Sequence, residues 1–183
     1  GRDLIEMESL SKLISSGVKV EIHGQFLRNV EGVENDLKGL SHDAGDYSHE
    51  EREQERVAIE RDRKPYDFSM RVFSLDMESG LFVAEGNDYF GISAIVGKFN
   101  KPLGEYAGSI SFEKNYVRGK NSFSGRGGEG DERNFRDNLR QIFYSGSHFL
   151  TPKNVFGASG KYSCQGLNYK MVGGTWEMSA QLK

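Results

Sequence analysis

Cysteine is nearly missing from this chain of 183 residues: Cys164 stands alone. That excludes an intramolecular disulfide framework and a multi-cysteine zinc site. Proline is scarce, at 3 residues. Neither sign of charge dominates, since 28% of residues are charged and the formal net charge is −3; this implies neither wholesale disorder nor the positive field that a nucleic-acid partner requires. No stretch approaches the roughly 18 apolar residues of a bilayer span. A secretory h-region is lacking as well, because Leu4 and Ile5 are followed at once by Glu6. No Asn-x-Ser/Thr sequon occurs, which disfavours a secreted glycoprotein. The opening Gly1-Arg2-Asp3 without a methionine leads us to expect a processed, trimmed or excised product. A lone thiol is at home in a reducing compartment, so the expected location is intracellular, in the cytoplasm or an organelle matrix, mitochondrial included.

What the chain does have is glycine and aromatics. Its 23 glycines are nearly double the usual ~7% share, and they stand beside 12 Phe, 8 Tyr and 1 Trp. Charge is unevenly placed. Residues 135–183 sum to +4, leaving −7 for the rest of a chain whose total is −3. An asymmetry of this size can steer a partner without naming one.

Leu4, Ile5, Met7, Leu10, Leu13 and Ile14 recur mostly at offsets of three and four, which predicts a short helix over 3–16 with Gly17 as its C′ residue. So short a helix needs a docking surface to persist; a sheet face of the same chain is the simpler answer and an external partner the other. Val18, Val20 and Ile22 alternate with Lys19, Glu21 and His23 as in a half-buried strand. From about Leu27 to Tyr47 we find no period. Thirteen of the seventeen residues from Ser48 to Lys64 are Glu, Arg, Asp, Lys, Gln or His. Ser48 and Glu51 have capping-box spacing, and Glu53/Arg56 and Glu60/Lys64 are favourable helical pairs. Only Val57, Ala58 and Ile59 could anchor this segment, so we expect a solvated helix, partly detached from the core and ending before Pro65.

Beyond Pro65 the pattern is that of strands. Phe68, Met70 and Val72 alternate, and Leu81–Glu85 and Ile92–Val96 are apolar runs bounded by glycines. Between Tyr106 and Tyr116 one parity holds Gly108, Ile110 and Phe112, while the other holds Ser109, Ser111, Glu113 and Asn115. Leu139–Ser145, Val155–Cys164 and Val172–Leu182 follow, the last with Trp176, Met178, Ala180 and Leu182 on one face. About eight strands result, with no helix pattern between Phe68 and Asn134. Parallel pairing would need crossovers of a dozen or more residues, so the pairing must be antiparallel. A meander of this length closes or packs on itself to remove its edges. The expected fold is mainly β, a small antiparallel barrel or barrel-like sandwich. Its domain covers 68–183, and residues 1–67 form an extension with a helix, one strand and the charged helix. An eight-stranded barrel is either packed or holds one small ligand; the aromatic content favours packing.

Several motifs invite chemistry. Gly125-Arg-Gly127-Gly-Glu-Gly130 spells a dinucleotide fingerprint, but no buried strand feeds it and Asp131-Glu132 would repel phosphates. Tyr116 and Lys120 have the Tyr-x-x-x-Lys spacing of short-chain dehydrogenases, yet Tyr116 ends a strand and Gly119 interrupts the spacing. His42, Asp43, Asp46 and His49 cluster on a polar loop, where a stiff ligand scaffold is wanting. Cys164 shares parity with Phe156 and Tyr162 and reads as a buried thiol. We therefore assign no catalytic, cofactor-binding or metal-binding residue and expect no cofactor. Phe112, Tyr116, Tyr162, Trp176 and Met178 are expected to line the interior or, were it hollow, a ligand.

Gly86-Asn-Asp-Tyr-Phe-Gly91, Ile95-Val-Gly97, Ile110-Ser-Phe-Glu-Lys-Asn-Tyr116, Phe143-Tyr-Ser-Gly146 and Gly173-Gly-Thr-Trp176 form a rhythm spread over about residues 80–178. It resembles lipocalin-like antiparallel barrel modules that finish on a Gly-x-Trp strand and serve as accessory domains. Lipocalins proper carry Gly-x-Trp on their first strand, whereas here it is on the last, so their carrier role does not transfer. The resemblance implies an interaction module without a catalytic signature. We expect a non-enzymatic scaffold subunit with protein partners and neither nucleic acid nor a membrane span. The alternatives are a carrier of a small apolar ligand and an isomerase or hydrolase.

Overall fold

The computed structural model describes residues 20–42, 48–76, 78–100, 107–119, 141–150, 155–165 and 171–181. Eight strands run in chain order around one closed antiparallel barrel. They are β1 (Val20–Arg28), β2 (Tyr66–Leu75), β3 (Leu81–Asp88), β4 (Gly91–Phe99), β5 (Ala107–Gly119), β6 (Ile142–Leu150), β7 (Val155–Gln165) and β8 (Met171–Gln181). Two helices, α1 (Val30–His42) and α2 (His49–Arg61), are inserted between β1 and β2. The expectation of a helix over 3–16 falls outside the described residues. So do Asp43, Asp46, Lys120 and the Gly125–Gly130 run.

The barrel begins earlier than the sequence suggests. β1 closes the ring by pairing with β2 on one side and β8 on the other, Phe26 lying opposite both Tyr66 and Trp176. The first strand is therefore one of the barrel's own strands, where the sequence suggested part of an extension over residues 1–67. A lone half-buried strand looks like an appendage because its two partners lie about 45 and 150 positions downstream.

Alternation fixes which side chains face in. Val20, Ile22 and Phe26 of β1 are buried, with exposed residues between them. The same parity holds around the ring through Phe82, Ile95, Phe112, Tyr144, Tyr162 and Trp176. Among the described residues a series of ring contacts runs along the lumen. His148 meets Phe99, Phe99 meets Phe82, and Phe82 meets Phe112. Phe112 stacks on Tyr144 at 4.5 Å, and Tyr144 leads through Tyr162 to Phe26 and Tyr66. Inward glycines make the room: a Cβ on Gly97 would strike the ring of Phe82 and the Cβ of Phe112, and one on Gly174 the Leu27 carbonyl and the ring of Tyr162. Trp176 is fully buried and donates its indole N–H to the Lys161 carbonyl at 3.0 Å.

The outer wall is mixed, with charged side chains standing beside exposed apolar ones such as Val83, Val96 and Phe143. Glu21, Asp67, Glu85, Lys98, Glu113, Lys161 and Glu177 stand at outward positions of seven different strands. No helix among the described residues is long and apolar enough to cross a membrane.

The stretch 27–47, where we found no period, contains α1. Val33, Leu37 and Leu40 do recur at helical spacing, but Gly32, Asn35, Asp36 and Gly39 lower the helix propensity and obscure it. Together with Ile59 of α2 they form a separate small core. The Ser48 hydroxyl accepts from the Glu51 amide at 3.1 Å, as the capping spacing predicts, and Arg56 pairs with Glu53. Glu60, however, pairs with Arg63 at 2.6 Å and not with Lys64, because the helix stops at Arg61. Of the three candidate anchors only Ile59 is buried.

Candidate functional site

The strongest concentration of chemistry lies inside the barrel, at the end nearest the helices. It is built from the β3–β4 turn and the middle of β5 and β6. Asp88 ends β3, and its Oδ1 accepts the backbone N–H groups of Phe90 at 2.8 Å and Gly91 at 3.3 Å, which shapes the two-residue turn. Its Oδ2 accepts from Lys114 Nζ at 2.9 Å and from the Tyr116 hydroxyl at 2.6 Å. Lys114 also hydrogen-bonds the Tyr144 hydroxyl. The ammonium sits 4.8 Å from the ring centres of Phe26 and Tyr116 and 5.2 Å from that of Tyr144. It is thus a cation held by one carboxylate within an aromatic cage, an arrangement that offsets part of the cost of removing both charges from water.

Burial sets the protonation states. Burial alone would lower the Lys114 pKa, but the adjoining Asp88 carboxylate outweighs it and holds the lysine above its ordinary range. Burial, reinforced by Asp88, pushes the Tyr116 phenol far upward. The Tyr144 phenol also rises through burial, although Lys114 pulls against it. Burial lifts the Cys164 thiol from 9.0 to about 11, with Lys114 and Arg28 opposing. Lys114 is therefore protonated and non-nucleophilic at neutral pH, the phenols keep their protons, and Cys164 is a thiol. Asp88 already accepts four hydrogen bonds, so both of its oxygens are engaged.

Phe112, Tyr162, Trp176 and Met178 are buried in the same core, and Tyr116 packs against it with its hydroxyl on Asp88. All five residues chosen from parity are thus brought together. Asp88 and Lys114 were missed. Lys114 lies on the inward parity between Phe112 and Tyr116, and a charged residue at an inward position was the signal available.

A second buried network ties the helices to the barrel. Arg28, at the end of β1, donates to Asp62 at 3.0 Å and to Asp36 at 2.6 Å. The Tyr66 hydroxyl donates to the other oxygen of Asp62. Burial opposes the charge on Arg28, and the two carboxylates more than compensate, raising its pKa. Arg63 adds an exposed link to Glu34 of α1 at 2.7 Å.

On the outside, two adjoining open grooves of about 560 and 520 Å³ cross β1, β7 and β8 and share Gln25, Ser159 and Glu177. Among the described residues no three His, Cys, Asp or Glu side chains gather as a metal site would require. His49 is exposed on the first turn of α2. No protein-family model, no curated protein and no solved structure matches this chain.

Proposed function

We propose that this chain is a non-enzymatic protein-interaction module, a scaffold subunit of a larger assembly whose contacts are made by its exterior. The aromatic rings in contact across the lumen are the observation that carries the reading. A carrier of a small apolar ligand would need the space that Phe82, Phe112, Tyr144 and Trp176 occupy. An isomerase or hydrolase would need an available base or nucleophile, whereas in this cluster Asp88 is engaged by hydrogen bonds and Lys114, Tyr116 and Cys164 keep their protons. Recognition then falls to the outer wall and to the α1–α2 hairpin. The hairpin presents Glu50, Glu51, Glu53, Arg56 and the apolar Val57 to solvent. The resemblance to lipocalin-like accessory barrels agrees with an interaction role, and a buried, unpaired thiol suits a reducing compartment.

Native mass spectrometry of the chain isolated from its own cells, combined with lysine crosslinking, tests this. The expected result is a stoichiometric complex with other proteins, crosslinked through Lys38 or Lys64 of the hairpin. A free monomer retaining a lipid-sized mass would overturn the scaffold reading in favour of the carrier.

A further inference from the structure

Among the described residues, an apolar patch lies exposed on the outer wall across β2, β3 and β4. Phe73 is 50% exposed, Leu81 50%, Val83 44% and Val96 53%. The register gathers them. Val83 of β3 lies directly opposite Val96 of β4, and such partners have Cβ atoms about 4.5–5.5 Å apart. Ser74 of β2 lies opposite Val83, and the bulge between Val72 and Ser74 turns both Phe73 and Ser74 outward. Leu81 is two positions from Val83 on the same side of β3. The bulge therefore adds an exposed ring beside three exposed aliphatic side chains, with Arg71, Glu85 and Lys98 around them.

We propose that residues 3–16 of this same chain are the occupant, folding as an amphipathic helix across the outside of β2, β3 and β4. The inference is independent of the scaffold reading. Three observations support this choice of occupant. First, β1 begins at Val20, whose partner is Val72, the residue beside Phe73, so the preceding chain leaves the barrel at the edge of the patch. Secondly, Gly17, Val18 and Lys19 are all that separate 3–16 from β1. At no more than ~3.6 Å each, they tether the segment close to this face and far from the opposite wall. Thirdly, the segment carries Met7, Leu10, Leu13 and Ile14 at helical spacing. As a helix its fourteen positions would extend about 21 Å, enough to cross three strands spaced ~4.8 Å apart. The charges are opposite in sign: Asp3, Glu6 and Glu8 lie in its first half, and Arg71 and Lys98 border the patch beside Glu85.

Amide hydrogen exchange on the full chain tests the proposal, with a free peptide of residues 1–19 as reference. Amides between residues 7 and 16 are expected to exchange at least ten-fold more slowly in the chain than in the peptide. The double variant Val83→Asp/Val96→Asp should abolish that protection while the amides of β6–β8 keep theirs. Should those aspartates loosen the barrel, Leu10→Asp/Leu13→Asp alters only the segment; it should cause the same loss and add dye binding at the uncovered patch. Peptide-like exchange in the unaltered chain would overturn the proposal. Protection that survives the patch variant would place the segment on another face, and protection that vanishes on dilution would make a second copy its partner; either result refutes the assignment.

Discussion

Among the described residues, twenty-four buried side chains meet inside the barrel, eleven of them aromatic; between α1 and α2 there are three, Val33, Leu40 and Ile59, with Leu37 beside them. A core of three side chains cannot offset the ordering entropy of two thirteen-residue helices. The hairpin keeps its place through charge, with Arg28 reaching to Asp36 in α1 and to Asp62 just past α2. The barrel uses charge differently. Its Asp88–Lys114 pair is enclosed by rings and fixes the β3–β4 turn to β5. Remove the ions and the barrel would still have a core, whereas the hairpin would have almost none.

The comparison can be broken most forcefully at Trp176. Truncation to alanine should cost about 3–5 kcal/mol, the range for a large buried aromatic. For a domain of this size it should lower the melting temperature by more than about 6 °C. A negligible shift, with red-shifted indole emission, would mean that the ring faces water. Close behind comes Lys114→Met, which strands the Asp88 carboxylate in the core and should cost about 3–5 kcal/mol in chemical denaturation. Adding Asp88→Asn should restore much of that loss, since it removes the orphaned charge.

Arg28→Met sharpens the contrast between the regions. It strips Asp62 of its cation and should cost about 2–3 kcal/mol, expressed locally: α1 and α2 amides lose exchange protection while β3–β5 amides retain theirs. Equal loss in both regions would show that hairpin and barrel unfold as one unit. Alkaline pH gives a smaller effect. With the Cys164 thiol raised to about 11 in the fold, its contribution is fully present below the ordinary pKa near 9 and is lost as pH climbs toward 11. The Cys164→Ala chain should therefore lose less stability across that window, by an amount of order 2 kcal/mol. Last, Glu53→Ala removes an exposed pair with Arg56 and should leave the melting curve unmoved.

The barrel was legible because each strand is buried on one side only, and a period of two survives in the text wherever that holds. Phe68, Met70 and Val72, or Trp176, Met178 and Ala180, announce both the strand and its inward face. Closure was legible only as a class of solution. Which strand seals the ring depends on pairings such as Phe26 with Trp176, and no local pattern encodes them. The polar cluster was hidden for a related reason. Asp88 looks like an ordinary turn residue, and its cation lies 26 positions away on another strand. The apolar spacing of α1 was present, but glycine, asparagine and aspartate among its residues reduced its apparent propensity.

The seam between β1 and β8 sets the order of events during synthesis. Its two strands are separated by almost the whole described chain, so the ring cannot close until residues 171–181 have left the ribosome. Until then β1 offers β8 an unpaired edge, and a chain with this much non-local pairing folds slowly. The only tryptophan lies on that closing strand, opposite Phe26 of the first. Its fluorescence is therefore a built-in clock for the final step of folding, readable without adding a label.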